Sequence, residues 1–401
     1  LSTRSRTVVA VVAAGVLTAV AVQVKAGADQ AEPASARKCT SSVPYTAGES
    51  GYASYRVPAV VRTGKGTVLA FAEGRRDSAG DTGNIDVVLR RSTDGGCTWG
   101  RQQVVTAGEG DTRGNPAPVV DPETGRVVLL TSYNSGEVTE AEIMRGEVTP
   151  EQSRRVFVQT SRDDGRSFGA PREITHRAKQ DDWRWYATGP GHAVAVTEGP
   201  HAGRLVVPAN HSAAPPAGSA DTGQEAKYYG AHSLYSDDGG RTWDIGFVDD
   251  SYDGVDNSNE STAAELSDGR LYFSARDQNG TSAGNRLDSY SSDGGESLDR
   301  PYTVQTGLND MPVVQGSVLQ VPGGPLLHSG PSDPAARRSM AVWRSDDAGR
   351  TYTKATTLST QPAAYSDLVA LGSGRVGILF ETGAARPYER IEFRRLAVGD
   401  L

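Results

Sequence analysis

The sequence predicts an all-β fold, a six-bladed β-propeller, and three observations carry that expectation. A loop pattern, Ser-x-Asp-x-Gly-x-(Thr/Ser)-aromatic, recurs from Ser92, Ser161, Ser236, Ser291 and Ser345, at intervals of 54 to 75 residues. A repeat of that length is one supersecondary unit copied about an axis. Between the loops, short apolar or alternating runs are bounded by Gly, Pro, Asn and Asp, the punctuation of hairpins. No Pro- or Ser-rich linker interrupts the series, so the 401 residues read as one repeated domain, although length alone allows two. Radially arranged four-stranded sheets fit such units better than a sandwich does. Five visible loops and one blade closed by the two ends of the chain make six.

Taken in order, residues 1–28 read as a signal peptide. Arg4 and Arg6 precede a nearly unbroken apolar run from Val8 to Val24, and Ala26-Gly27-Ala28 offers a small-residue cleavage site. A membrane anchor is the alternative, but the run is at the short limit for spanning a bilayer. The expectation is therefore a secreted, extracellular protein without stable membrane insertion. Residues 29–47 form an N-terminal segment, and residues 48–401 the propeller. The only cysteines, Cys39 and Cys97, are expected to pair in a single disulfide, as a lone pair in an exported chain does.

The repeated loop has a physical logic. The Ser and Asp side chains bond nearby backbone N–H groups and close the turn. The glycine takes up positive φ, and the final aromatic residue buries apolar area between strands. The best copies end at Trp99 and Trp243, two others at Phe168 and Tyr352, and the worn copy has Leu298 in that place. These loops read as structural clips; one Asp and one Ser are too few oxygens for calcium. Between them, strands are expected over Thr67–Ala72, Arg126–Ser132, Arg204–Pro208, Arg270–Ala275 and Arg375–Phe380, each after a turn signal. A helix is expected only near Thr139–Arg145, with Glu151–Arg155 as a possible extension.

The formal charge is −8, and −11 once Arg4, Arg6 and Lys25 are removed with the leader. That balance, with no basic run, argues against nucleic acid as a partner. The six histidines and two cysteines show no zinc-ligand spacing. No metal and no cofactor is expected.

Chemistry is expected outside the clips. Arg56 opens the first strand, Arg276 closes the run Leu271–Ala275, and Arg337 precedes Ser339–Trp343. Three arginines at strand ends of three repeats can converge on the propeller axis, and guanidinium groups match a carboxylate bidentately. The residues alone therefore point to a pocket for a carboxylated ligand.

From Tyr55 to Glu381 the chain resembles the bacterial exo-sialidases. Tyr55-Arg56-Val57-Pro58 is similar to their Phe/Tyr-Arg-Ile-Pro motif, with Val for Ile, and the clips are similar to their Asp boxes. The resemblance implies that Arg56, Arg276 and Arg337 grip the substrate carboxylate, with Arg338 as an alternative third member. It implies that Asp81 is the general acid/base, with Asp86 as the neighbour most easily confused with it. Tyr365 is implied as nucleophile, Glu260 as its proton acceptor, Glu381 as the carboxylate that orients Arg56, and Arg75 as an accessory arginine facing the sugar. The implied activity is exo-sialidase hydrolysis of terminal sialic acid from sialylated glycans, retaining, by a monomer. A trans-sialidase or intramolecular sialidase would use the same residues, and a silent propeller lectin would bind without cleaving. The aromatic run Trp183-Arg184-Trp185-Tyr186 can stack on a sugar or fill a sheet core.

Overall fold

The computed structural model describes residues 39–401, so the expected signal peptide and residues 29–38 lie outside the described residues. Among the described residues twenty-five strands dominate, with one capped helix, Glu140–Arg145, one short helical turn, Thr175–Ala178, and four 3₁₀ turns. The fold is an all-β propeller. Among the described residues no helix is long and apolar enough to cross a membrane.

Hydrogen bonding gathers the strands into five sheets rather than the six separate ones expected. The largest has eight strands. It begins with Ser54–Arg62, Val68–Arg75 and Ile85–Ser92, and continues with Thr112–Val120, Val127–Asn134 and Arg155–Ser161. Its two halves are joined by one parallel pair, Ile85 with Thr112. The other sheets start at Trp183–Thr188, Ser258–Glu265, Ser317–Gln320 and Ala363–Gly372. In the last, Ser41–Thr46 pairs with Arg390–Ala397, so residues read as an N-terminal segment complete a sheet with the end of the chain. The Cys39–Cys97 disulfide, with Cα atoms 5.7 Å apart, ties this strand to the first clip.

Leading strands of neighbouring sheets, and of the two halves of the largest, lie side by side: Ser54–Arg62 beside Thr112–Val120 and Ala363–Gly372, and Ser317–Gln320 between Ser258–Glu265 and Ala363–Gly372. The apolar core lies between sheets. One layer joins Val60, Ala70 and Val88 to Leu379 and Phe393, and another joins Tyr272 to Val318 and Trp343. Each buried Trp or Phe of these layers contributes about 1.5–3 kcal/mol relative to exposure.

The clips close in one way. Ser92 Oγ donates to Asp94 Oδ1 (2.6 Å) and accepts from Gly96 N (2.8 Å), while Thr98 donates to both Asp94 oxygens from its N–H (2.9 Å) and Oγ1 (2.6 Å). The same set recurs at Asp163, Asp238, Asp293 and Asp347. Gly96 has φ +88°, and a Cβ there would stand 2.0 Å from the Phe393 ring, so glycine is required twice over. The worn copy keeps the same four bonds, and Leu298 packs against the neighbouring apolar layer in place of an aromatic ring.

The strands outrun the apolar segments that predict them. Val68–Arg75, Leu271–Asp277 and Arg375–Thr382 each extend by two or three residues at their ends. Those extra residues are Glu73, Gly74 and Arg75, Arg276 and Asp277, and Glu381 and Thr382. Polar residues at buried strand ends break the apolar pattern while leaving the backbone ladder intact. The helix at Glu140–Arg145 has a capping box between Thr139 and Glu142. Its expected extension over Glu151–Arg155 is instead a turn, and Arg155 opens a strand, because Phe157 and Val158 take the period of two that pairs them with Thr131 and Leu130.

Candidate active site

Five leading strands carry a register irregularity: between Arg56 and Ala59, Gly114 and Ala117, Trp183 and Tyr186, Ser258 and Ser261, and Ala363 and Ser366. These irregular stretches hold Arg56, Asn115, Trp185, Glu260 and Tyr365, all lining one cavity of about 220 Å³. An irregular pairing re-aims a side chain that would otherwise follow the pleat. Val57 has φ +54° and Asn115 φ +51°. A β-branched residue held at positive φ is strained by about 1–3 kcal/mol, a cost usually met where a site needs the geometry.

Glu381, with no exposed surface, organises one wall. Its carboxylate accepts from Arg56 Nε (3.2 Å) and Nη2 (3.4 Å), from Val57 N (2.8 Å) and from Tyr365 N (3.1 Å). It therefore holds Arg56 and the strand carrying Tyr365 together. Arg56 also lies 4.1 Å above the Tyr388 ring, whose hydroxyl accepts from Arg337 Nη1 (3.1 Å). Although burial works to lower it, the Glu381 carboxylate holds the Arg56 guanidinium above its ordinary range. Arg276 donates to Glu260 Oε2 at 2.9 Å. The three arginines thus meet at one end of the cavity. Arg338 points away: it is exposed, 3.9 Å from Asp333, and does not line the cavity.

The Tyr365 hydroxyl donates a hydrogen bond to Glu260 Oε1. Burial pushes this phenol well above 10, and Glu260 adds to the shift against the pull of Arg276, Arg56 and Arg337. At rest the oxygen is neutral and its proton is directed at a carboxylate.

Asp81 sits on the loop after Arg75, its Oδ1 3.5 Å from Arg56 Nη1 and its side chain 60% exposed. Arg75 is buried and its donors are occupied: Nε and Nη2 bond Glu73 (2.9 and 2.6 Å), and Nη1 bonds Ala79 O (2.6 Å), Gly80 O (2.8 Å) and Asp81 Oδ1 (2.8 Å). Arg75 lines the cavity, yet its donors hold the Asp81 loop in place. Partial burial acts to raise the Asp81 carboxyl, but Arg75 and Arg56 outweigh it, and the group lies below its usual range. Asp86 is bound into the scaffold by Tyr52 Oη, Arg76 Nη2 and Gly108 N.

The aromatic run divides. Trp183 and Tyr186 belong to the core, whereas Trp185 lines the cavity. Five further cavity residues carry no sequence signal for a role there: Asn115, Glu140, Arg154, Asn210 and Tyr229. Glu140 accepts from Tyr229 Oη at 2.8 Å, and burial raises its carboxyl despite that bond. None lies in a motif. The helix near Thr139–Arg145 was legible, but not the direction in which Glu140 faces.

A family model described as a BNR repeat-like domain matches residues 66–378. The chain is 32% identical to a sialidase of Micromonospora viridifaciens over 85% of its own length and 52% of that protein. It is 30% identical to an exo-alpha-sialidase of Aspergillus fumigatus, covering 83% of this chain and 79% of the relative. The chain belongs to the BNR-repeat sialidase family. Among solved structures, a Hadza microbial sialidase superposes with TM-score 0.76 at 25% identity, over 90% of this chain and 69% of that one. A leech intramolecular trans-sialidase superposes with TM-score 0.72 at 17% identity, over 89% of this chain and 70% of its own, and shares the fold. The chain spans about half the length of the Micromonospora relative.

Proposed function

We propose that this protein is a retaining exo-α-sialidase acting on the terminal sialic acid of sialylated glycans. The observation that carries the reading is the Tyr365–Glu260 hydrogen bond below three convergent arginines. The substrate's anomeric carbon bears a carboxylate, which Arg56, Arg276 and Arg337 bind. An anionic nucleophile would be repelled by that carboxylate, whereas a neutral phenol is not, and sialidases with a tyrosine nucleophile depart from the usual carboxylate pair. As the bond from Tyr365 Oη to the anomeric carbon forms, Glu260 takes the phenolic proton. The bond to the glycosidic oxygen breaks, and that oxygen takes a proton from Asp81. Water then attacks the anomeric carbon, giving a proton to Asp81, and Tyr365 leaves and recovers its own from Glu260. Two displacements at one carbon return the starting configuration. A bound substrate carboxylate also offsets the arginine field that holds Asp81 ionised, which favours its protonation in the complex.

The propeller is read as six-bladed. The halves of the eight-stranded sheet pack face to face through Leu69, Phe71, Val127 and Leu129, as separate blades do, and share a single bridge. We further propose that the protein is a monomer and that it works outside the reducing cytosol, the second of which the Cys39–Cys97 bond supports.

The test is hydrolysis of a fluorogenic α-ketoside of N-acetylneuraminic acid by the wild type beside Tyr365→Phe, with the released sugar's anomer read by NMR. Wild-type turnover with initial α-product, and a loss on the order of 10³-fold or more in the variant, is expected. Binding of sialic acid without turnover would instead make the protein a lectin.

A further inference from the structure

Outside the cavity, one cluster of charged side chains has no part in the mechanism. Arg113, on the strand Thr112–Val120, stands opposite Tyr133, and Tyr133 stands opposite Arg155 on the next strand. Residues opposite one another in a ladder put their side chains on one face. The two guanidinium groups share the Tyr133 ring, 4.5 and 4.3 Å from its centre, and Arg113 also lies 4.2 Å from the centre of the Phe157 ring. Among the described residues no carboxylate pairs with Arg113, and its Nε and Nη1 are buried without a partner. Arg155 Nε is buried and unpartnered as well, while its Nη1 reaches Glu173 at 3.2 Å. The other carboxylate nearby, Asp111, is taken up by Tyr133 Oη (2.8 Å) and Gly136 N (2.9 Å). Burial holds Arg113 below its ordinary range, and Arg155 adds to that shift against Tyr133, Asp111 and Glu173. Aromatic rings offset only part of what a cation loses on leaving water. On a chain of formal charge −8, two stacked arginines with one paired carboxylate are a local excess of positive charge.

The cluster adjoins the side of the cavity that holds Asp81. Arg113 precedes Asn115 by two residues and Arg155 follows Arg154, and both of those neighbours line the cavity. Thr112 Oγ1 accepts from Gly83 N (3.1 Å) and donates to Gly83 O (3.0 Å), which ties the strand carrying Arg113 to the loop carrying Asp81. In the sialidase reading, on which this inference rests, Asp81 protonates the oxygen of the departing glycan. The geometry points to Arg113 and Arg155 as a subsite for an anionic group, a carboxylate or a sulfate, on the leaving part of the glycan. A guanidinium fork matches either anion with parallel hydrogen bonds, and Tyr133 and Phe157 lie against the two forks. The Arg155 side chain is 26% exposed and Arg113 is half-buried, so the pair is open to a ligand from solvent. A neutral leaving sugar would leave their charge uncompensated.

The experiment measures sialic acid release from three glycans by wild type, Arg113→Met and Arg155→Met. The first is sialyllactose, whose leaving part is neutral. The second is the same trisaccharide sulfated on its galactose, and the third is a sialic acid dimer, whose leaving sugar carries a carboxylate. Each variant's fold is checked by its melting temperature. On at least one of the two anionic glycans each variant should lose about 10-fold or more in kcat/KM, the range for a hydrogen bond between charged groups, against about twofold at most on sialyllactose. Most of the loss should fall in KM. A loss on the sulfated glycan alone assigns a sulfate, on the dimer alone a carboxylate, and on both an anion of either kind. Equal losses on all three, no loss on any, or a wild type that turns over the fluorogenic ketoside but neither anionic glycan would overturn the assignment and leave the arginines as packing between blades. If the variants do not fold, crystal structures of Tyr365→Phe with each anionic glycan decide. A leaving carboxylate or sulfate within hydrogen-bond distance of Arg113 or Arg155 supports the assignment, and leaving groups turned to solvent in both overturn it. A wild type that cleaves neither the ketoside nor any of the three glycans defeats the sialidase reading itself, a different result from cleavage of all three that the variants leave unchanged.

Discussion

The clips and the axial cavity use the same kinds of side chain to opposite ends. In each clip a carboxylate is saturated by hydroxyl and backbone donors, its glycine adopts the positive φ it tolerates, and the pattern repeats with little change. At the axis each repeat contributes a different residue. Arg154 and Arg276 each keep a buried Nε without a partner. Local satisfaction makes a clip self-sufficient and therefore repeatable. Incomplete satisfaction leaves the cavity walls with donors and charges for a ligand. The polar groups between the two regions serve a third purpose. Asp367, wholly buried two residues after Tyr365, accepts from Val60 N (2.7 Å), His192 N (3.0 Å) and Ser317 Oγ (2.8 Å), and pairs with His192 Nδ1 (2.7 Å). One carboxylate thus joins four segments beneath the nucleophile.

If this division holds, substitutions at the axis change turnover and those at the clips change only stability. The largest effect after Tyr365→Phe is expected from Asp81→Asn, about 10²–10⁴-fold in kcat on a natural glycoside, the range for a general acid. On a ketoside with an acidic phenol leaving group the loss should shrink, because that oxygen departs with little protonation. Equal losses on both substrates would remove Asp81 from the acid role.

Next in size is the hub. Asp367→Asn removes one partner of a buried ion pair and should cost about 3–5 kcal/mol in denaturant unfolding. Burial acts to lower the His192 imidazole, but Asp367 outweighs it and holds it above 6.5. A folded-state value above the unfolded one stabilises fully below the unfolded pKa, and that contribution is lost as pH rises through the folded one. Wild-type stability should therefore decline from about pH 6.5 upward, and the variant should lose that slope. A variant with an unchanged slope would show that another group sets it.

The smallest effect belongs to the clips. Asp163→Asn should lower stability by about 1 kcal/mol with kcat unaltered. The bonds from Ser167 and Ser161 outweigh burial and depress the Asp163 carboxyl to about 2. A depressed carboxylate stabilises above its unfolded pKa of about 3.9, and the contribution vanishes as pH falls through the folded value. Wild-type melting temperature should therefore drop between about pH 4 and pH 2, by less in the variant. A changed kcat would mean that the clips reach the axis after all.

The repeats were legible because each clip is a local structure. Its bonds run between residues two to four apart, so spacing in the sequence is spacing in space. The hairpins were legible for the same reason, and their ends were not, because Arg75, Arg276 and Glu381 are polar where the strand pattern calls for apolar residues. The resemblance placed Arg56, Asp81, Glu260, Arg276, Arg337 and Tyr365, and the fold brings all six to one cavity. What sequence left open is a question of where a side chain faces: Arg337 lines the cavity and its strand neighbour Arg338 does not, while Asp81 lines it from the loop after Arg75 and Asp86 is bound into the scaffold. Asn115, Glu140, Arg154 and Tyr229 had no motif to mark them. Their positions come from strand bulges and from contacts between residues up to 89 apart, such as Tyr229 with Glu140. Local hydrogen bonding wrote the repeat into the sequence, while the cavity exists only where separate sheets meet, so its occupants were settled by tertiary packing.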